Sequence, residues 1–231
     1  MDQSIYTDGR YIAKNPSYHV EDSPWKARQI LRMIRRHDLA LRSVCEIGCG
    51  AGEVLRQLQL GLPDDVIFEG YEISPSAYEL SLSRRNPRLH FHCEDLLSTT
   101  SLRFDLLLCV DVVEHVEDYF GFLRSLRAKS EYQIFHMPLD LSVQSVLRGA
   151  PILRRRNALG HIHYFTQETA IATLIDTGYQ VLDHFFTPTD VDRVQSWKSW
   201  LAKMPRQLSA RLSSTLAARI FGGYSLLVLT K

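Results

Sequence analysis

The chain has 231 residues, enough for one domain with a sizeable core, and its 45% hydrophobic and 23% charged residues are an ordinary globular balance. A net charge of +1 provides no whole-molecule field to draw in nucleic acid or an anionic membrane. No apolar run reaches the roughly 18 residues of a membrane-spanning helix, and the opening MDQSIYTDGR lacks a basic-then-apolar leader, so a cytoplasmic protein is expected.

Residues 1–22 are polar with scattered aromatics. Ser23-Pro24 then reads as a cap and first helical turn, and Ala27, Ile30, Leu31 and Ile34 follow at helical spacing, which predicts a helix over 24–37. From residue 43 short apolar runs alternate with helical segments. Strands are expected at Ser43–Ile47, Val66–Ile73, Leu89–Cys93 and Phe104–Val110, and at Tyr132–Met137, where Pro138 should stop the strand. Helices are expected over Pro75–Arg84 and around Tyr119, Phe122, Leu123 and Leu126. Thr166 can cap another, with an inner face of Ala170, Ile171, Leu174 and Ile175 and an end at Gly178. Tyr179–Phe186 and Tyr224–Thr230 read as the last strands. Such alternation gives an open parallel sheet with helices on both faces. Cys45, Cys49, Cys93 and Cys109 read as small buried hydrophobes in a reduced compartment.

Two stretches interrupt the alternation. Residues 139–165 carry Arg148, Arg154, Arg155 and Arg156. Residues 188–222 carry Trp197, Trp200 and a four-residue repeat of Leu208, Leu212, Leu216 and Ile220. Insertions of this kind cover a site or form a partner surface. Three readings stay open for their basic segments: a solvated cover, a lid touching a membrane surface or lipid acceptor, or a grip on an anionic acceptor. RNA is disfavoured because no aromatic-basic platform is evident.

The strongest chemical signal is Val44-Cys45-Glu46-Ile47-Gly48-Cys49-Gly50-Ala51-Gly52, a strand entering three alternate glycines before a helix. Glycine takes backbone angles other residues resist and lets a ligand touch the main chain. The helix start then supplies unbonded N–H groups. A dinucleotide fingerprint would need glycine at position 53, which is Glu53, and a P-loop would need Gly-Lys-Ser/Thr. A negative Glu53 in the first turn also argues against a pyrophosphate, whereas Glu46 suits a ligand carrying positive charge. Glu72 ends the next strand 20 residues past Gly52, where a carboxylate can accept from both hydroxyls of a ribose. Glu94-Asp95-Leu96 follows the third strand and can read an adenine edge, and Asp111 with Glu114-His115 follows the apolar fourth strand at the same sheet edge.

These four segments, in this order, resemble the class I S-adenosylmethionine-dependent methyltransferases, and most nearly the branch acting on small molecules and lipid precursors. EIGCGAG is similar to that family's first motif, and the resemblance runs over about residues 43–186. It implies a doubly wound, seven-stranded, mostly parallel α/β sheet whose last strand, Tyr224–Thr230, is antiparallel. It also implies S-adenosylmethionine as cofactor. Gly48, Gly50 and Gly52 would lie against methionine and adenosine, with Glu46 on the amino end. Glu72 would take the ribose, with Ile73 beside it also at the cofactor, Asp95 and Leu96 the adenine, and Asp111 and Val112 the methionyl pocket. Gly160–Thr166, reading GHIHYFT, is similar to a segment that borders the acceptor pocket there.

Methyl transfer is an in-line displacement in which positioning supplies up to roughly 7–11 kcal/mol. The expected acceptor is a small molecule, glycan or lipid precursor, methylated on oxygen in preference to nitrogen or carbon. A base helps with such an acceptor. His115 and His163 are the assigned catalytic candidates, with His161 a third, while His136 lies in a strand and faces either pocket or core. No metal is expected: His90, His92 and Cys93 cluster and His161 pairs with His163, but neither group has zinc spacing with matching second ligands. Two other functions stay in view. One is a nicotinamide oxidoreductase, disfavoured by Glu53, and the other is a binding module without turnover.

Overall fold

The computed structural model describes residues 12–13, 15–18, 20–99, 102–188 and 213–231. Helix α1 (Ser23–Arg36) buries Ala27, Ile30, Leu31, Met33 and Ile34, the stripe its sequence announces. Its cap is Asp22, so Ser23 sits inside the first turn rather than before it. Then follow β1 (Ser43–Ile47), α2 (Glu53–Gln59), β2 (Ile67–Tyr71), α3 (Pro75–Leu82), β3 (Leu89–His92) and β4 (Phe104–Val110). A 3-10 turn at Val113–His115 leads to α4 (Tyr119–Leu126) and β5 (Ser130–Leu139). Short helices α5 (Val143–Arg148) and α6 (Ala150–Leu159) occupy the first basic insertion, and α7 (Gln167–Asp176), β6 (Val181–Pro188), α8 (Ser214–Phe221) and β7 (Tyr224–Thr230) complete the order.

The seven strands lie in the order β3-β2-β1-β4-β5-β7-β6. β7 runs antiparallel to β5 and β6, and the other pairs are parallel. Alternate residues of each strand face opposite layers. Leu107 and Cys109 of β4 join Phe135, Leu123, Leu174 and Ala217 on one side. Leu106 and Leu108 join Phe68, Leu227 and the inner faces of α1 and α2 on the other. β4 is buried on both faces, which explains its unbroken apolar run. Strand order reverses between β1 and β4, and their following loops diverge to opposite faces, opening a crevice at their carboxyl ends.

Several sequence expectations shift. Pro138 does not stop β5, because past His136 the strand has left β4 and pairs only with β7, where Pro138 lies opposite Ser225. A missing N–H is tolerated at such an edge. Ile175 is 54% exposed, so the inner face of α7 is Ala170, Thr173 and Leu174, with Ile171 partly buried beside them. β2 and β6 occupy narrower or later spans than the apolar runs suggest, since Val66, Ile73 and Tyr179 pack or line a cavity outside the ladder. Cys45, Cys49 and Cys109 are buried, but Cys93 is exposed. Leu216 and Ile220 point outward from α8, while Trp197, Trp200, Leu208 and Leu212 lie outside the described residues. No described helix is long and apolar enough to cross a membrane.

Candidate active site

The glycine turn after β1 is folded by its own backbone. The N–H groups of Gly48 and Cys49 donate to the Tyr71 carbonyl at 2.8 and 3.2 Å, bending the chain over the end of β2. Gly48, Gly50 and Gly52 all have positive φ, at 66°, 54° and 77°. Their reasons differ. A Cβ on Gly48 would come 2.7 Å from Val112 Cγ2, and one on Gly52 would enter the Phe91 ring. A Cβ on Gly50 would meet only Tyr18, at 3.7 Å, and would project toward the crevice. Gly50 is therefore the glycine with room toward the crevice, and Gly52 packs against Phe91 at the start of α2.

Glu53 has a different role from the one its position suggests. Its carboxylate is buried, accepts from Arg56, Gln57 and Arg84, and lies outside the crevice lining. Burial pushes its pKa up, but the bonds from Arg56 and Arg84 outweigh this and hold it at about 2. Its charge is neutralised locally, so it says nothing about a pyrophosphate.

A cavity of about 460 Å³ opens above the turn. Glu46, Gly48, Gly50, Glu72, Ile73, Asp111, Val112 and His115 line it, as do Tyr18, Trp25, Lys26, Arg155 and His161. Glu72 accepts from Gly50 N and Ser74 N, both at 2.8 Å, tying the glycine turn to the end of β2. Burial raises its pKa despite these bonds. Glu46 is 2% exposed, and its Oε2 has no hydrogen-bond partner among the described residues. Burial pushes its carboxyl well up, with Lys26 acting against that. Asp111 takes the left-handed region at φ 54°. Its oxygens meet Lys26 Nζ and His136 Nδ1, each at 2.6 Å, and His136 Nε2 lies 2.9 Å from Thr187 Oγ1. Burial alone would raise the Asp111 carboxyl, but His136 and Lys26 hold it well below the ordinary range.

The opposite wall comes from segments far apart in sequence. The N–H groups of Ile162 and His163 donate to the Glu114 carbonyl at 2.9 and 3.2 Å, clamping the GHIH segment onto the 3-10 turn. His115 Nδ1 donates to Gly160 O at 3.2 Å, and its ring stands edge-on to His161 with centroids 5.0 Å apart. Burial and the neighbouring His161 hold His115 down at about 4, so it is a neutral imidazole at pH 7. His161 Nδ1 donates to Asp140 Oδ2 at 2.6 Å, and Arg155 Nη1 sits 2.6 Å from Asp140 Oδ1.

Four assigned residues do not reach the cavity lining: Gly52, Asp95, Leu96 and His163. Asp95 caps a short turn by accepting from Leu97 N, and Leu96 is core. His163 donates through Nε2 to Val116 O at 2.9 Å, and its ring lies tilted against Tyr119 with centroids 4.5 Å apart. Sequence reading missed Lys26, Trp25 and Asp140. Lys26 is one cation among several in a basic helix, with no linear mark to distinguish it. Tyr18 was visible only as a scattered aromatic, yet its hydroxyl reaches Ser74 Oγ at 2.9 Å.

A doubly wound α/β domain with an antiparallel last strand and an acid-lined cavity at its switch point defines the class. The chain belongs to the methyltransferase-domain family, which matches residues 21–184. No curated protein matches its sequence. Among solved structures, a putative methyltransferase of Haloferax volcanii, in complex with the Trm112 activator, aligns with TM-score 0.66 at 14% identity, covering 96% of this chain and 95% of that one. An N-methyltransferase, NodS of Bradyrhizobium japonicum, aligns with TM-score 0.58 at 18% identity over 95% and 96% of the two chains. Magnesium protoporphyrin IX methyltransferase of Synechocystis aligns with TM-score 0.59 at 15% identity over 90% and 82%. The latter two were crystallised with S-adenosylhomocysteine.

Proposed function

We propose that this domain transfers a methyl group from S-adenosylmethionine to an oxygen of a small-molecule acceptor. The observation that carries the reading is the floor of the cavity. One buried acid, Glu46, and one partly buried acid, Asp111, share it with a partly buried ammonium, Lys26. Glu46 Oε2 is unsatisfied among the described residues, and a buried carboxylate oxygen without a partner is costly. A zwitterionic amino-acid tail fits this set: its ammonium satisfies Glu46, and its carboxylate meets Lys26. A nicotinamide dinucleotide offers phosphates there instead, which the two acids repel.

The rest of the cavity fits the nucleoside. Gly50 leaves the main chain bare at φ 54°, and Glu72 stands at the end of β2 with Ile73 beside it. Glu72 orients the ribose diol, and Ile73 gives an apolar edge to the base. When bound, the cofactor supplies an electrophilic methyl on a sulfonium. The chain holds the acceptor in line with that methyl, between the cofactor floor and the His115–His161 wall. Of the two histidines assigned to base catalysis, only His115 faces the cavity, so His163 has no part in this reading. Oxygen is preferred as acceptor atom because this wall is built of imidazoles and a buried carboxylate rather than an aromatic cage.

The test is labelled methyl transfer. Purified protein incubated with methyl-labelled S-adenosylmethionine and a small-molecule extract should label an alkali-stable, low-mass product, and Lys26→Met should abolish labelling. Binding of the demethylated cofactor with no labelled product in any extract would favour a binding module instead.

A further inference from the structure

The wall opposite the cofactor floor holds an arrangement that its own hydrogen bonds do not explain. Glu114 is 1% exposed, and neither carboxylate oxygen has a hydrogen-bond partner among the described residues. Two imidazole nitrogens face the same oxygen: His115 Nε2 and His161 Nε2 each lie 3.9 Å from Glu114 Oε1. All three atoms fall within 4.8 Å of one another. The other nitrogen of each ring fixes its tautomer. His115 Nδ1 donates to Gly160 O, and His161 Nδ1 donates to Asp140 Oδ2. Both Nε2 atoms therefore turn a lone pair toward a carboxylate oxygen. Three ligand-type atoms thus converge with no hydrogen bond among them, since 3.9 Å is too long for one.

We propose that Glu114, His115 and His161 bind a divalent first-row transition ion, of the Zn2+ or Co2+ kind, on the acceptor wall of the cavity. Two imidazoles and one carboxylate form a three-ligand set that leaves coordination positions open. An ion about 2.1 Å from each ligand places them about 3.0–3.4 Å apart, so the observed spacing closes by side-chain shifts of under about an ångström. The second layer is already built. Each ligating ring donates its other N–H to a carboxylate or carbonyl, which orients metal-bound histidines, and Arg155 in turn holds Asp140. Asp111 is not a ligand, since Lys26 and His136 engage its two oxygens.

The ion's use rests on the methyltransferase reading, although its binding does not. His115 and His161 line the cavity, so the open positions face the acceptor. An acceptor hydroxyl oxygen held there releases its proton to solvent as its acidity rises. Its electron pair then forms the O–CH3 bond while the C–S pair returns to sulfur. This makes His115 a ligand rather than a base, and it explains how acceptor oxygen is activated without a nearby basic group.

The experiment uses the full chain stripped with EDTA and titrated with Zn2+ or Co2+ by calorimetry, with bound metal counted by elemental analysis. One equivalent should bind, and Co2+ should give the visible absorption of a nitrogen–oxygen site. Glu114→Gln and His161→Gln should each weaken binding by about 100-fold or more, and Asp140→Asn by about 10–100-fold. Cys93→Ser, at an exposed thiol, should change nothing and excludes surface capture. S-adenosylhomocysteine binding is measured on every variant. Should Glu114→Gln fail to fold, the other two variants decide. Failure of both metals to bind, or equal binding by variants that still take up S-adenosylhomocysteine, overturns the site. Metal uptake without S-adenosylhomocysteine uptake overturns the methyltransferase reading and leaves the site standing.

Discussion

Two buried carboxylates, one lining the cavity and one behind its wall, are treated in opposite ways. Glu72, on the cofactor side, accepts from two backbone N–H groups that fix the glycine turn. Glu114, behind the opposite wall, accepts nothing through either oxygen among the described residues. The first is part of a scaffold that is complete before any ligand arrives. The second is a buried polar group without such partners, which folded chains seldom retain. The cavity thus sets a turn already held by hydrogen bonds against a wall backed by a carboxyl group with no hydrogen-bond partner among the described residues.

This contrast can be broken at several points, in order of effect. The largest change expected is in Gly52→Ala. It meets the Phe91 ring at a positive φ and should cost roughly 2–4 kcal/mol of unfolding free energy in a denaturant titration. Gly50→Ala, in the same turn but facing open space, should cost only about 1–2 kcal/mol while sharply weakening S-adenosylhomocysteine binding. Equal stability losses at the two positions would erase the distinction between packing and ligand glycines.

Next comes Glu72→Ala, which should weaken S-adenosylhomocysteine binding by about 100-fold, or about 2.7 kcal/mol, as read by calorimetry. Unchanged affinity would show that Glu72 serves only the turn. Glu53 makes a smaller, pH-dependent contribution. Its folded pKa of about 2 lies below the ordinary glutamate value of about 4.3, so the carboxylate stabilises the fold above that value. The contribution fades as pH falls toward 2 and is worth roughly 1–3 kcal/mol. Glu53→Gln should flatten the stability profile between these limits, and an undiminished acid slope would assign it to other carboxylates. The smallest effect is at the exposed pair of Glu168 and Arg219, which joins α7 to α8. Glu168→Gln should cost under about 1 kcal/mol and disappear into the error of a denaturant titration at high salt.

The glycine-turn end of the cavity was legible in the sequence because it is local. Glu46, Gly48, Gly50 and the following helix form one uninterrupted segment, and Glu72 lies at the end of the next strand. The sheet was legible for a similar reason, since β4 declares its burial by an unbroken apolar run. Pro138 misled because its effect depends on which neighbour β5 has at that point, and no linear pattern records this. Gly52, Asp95 and Leu96 carry the right spacing, but their contacts are with Phe91, a short turn and the core. The acceptor wall was hidden for a topological reason. Glu114 and His115 meet His161 only because Ile162 and His163 bond to the Glu114 carbonyl. A search for metal ligands by spacing paired His161 with His163, whose side chain turns away to Val116. Lys26 was lost among the cations of α1 until the fold set it against Asp111.

The central claim is that the acid-lined floor beside Gly50 takes an amino-acid-bearing nucleoside. Calorimetry with S-adenosylhomocysteine, set against adenosine and NAD, tests it most directly. The account requires one-to-one binding of S-adenosylhomocysteine, at least about 100-fold tighter than adenosine and lost in Lys26→Met. Equal affinity for adenosine, or preference for NAD, would contradict it.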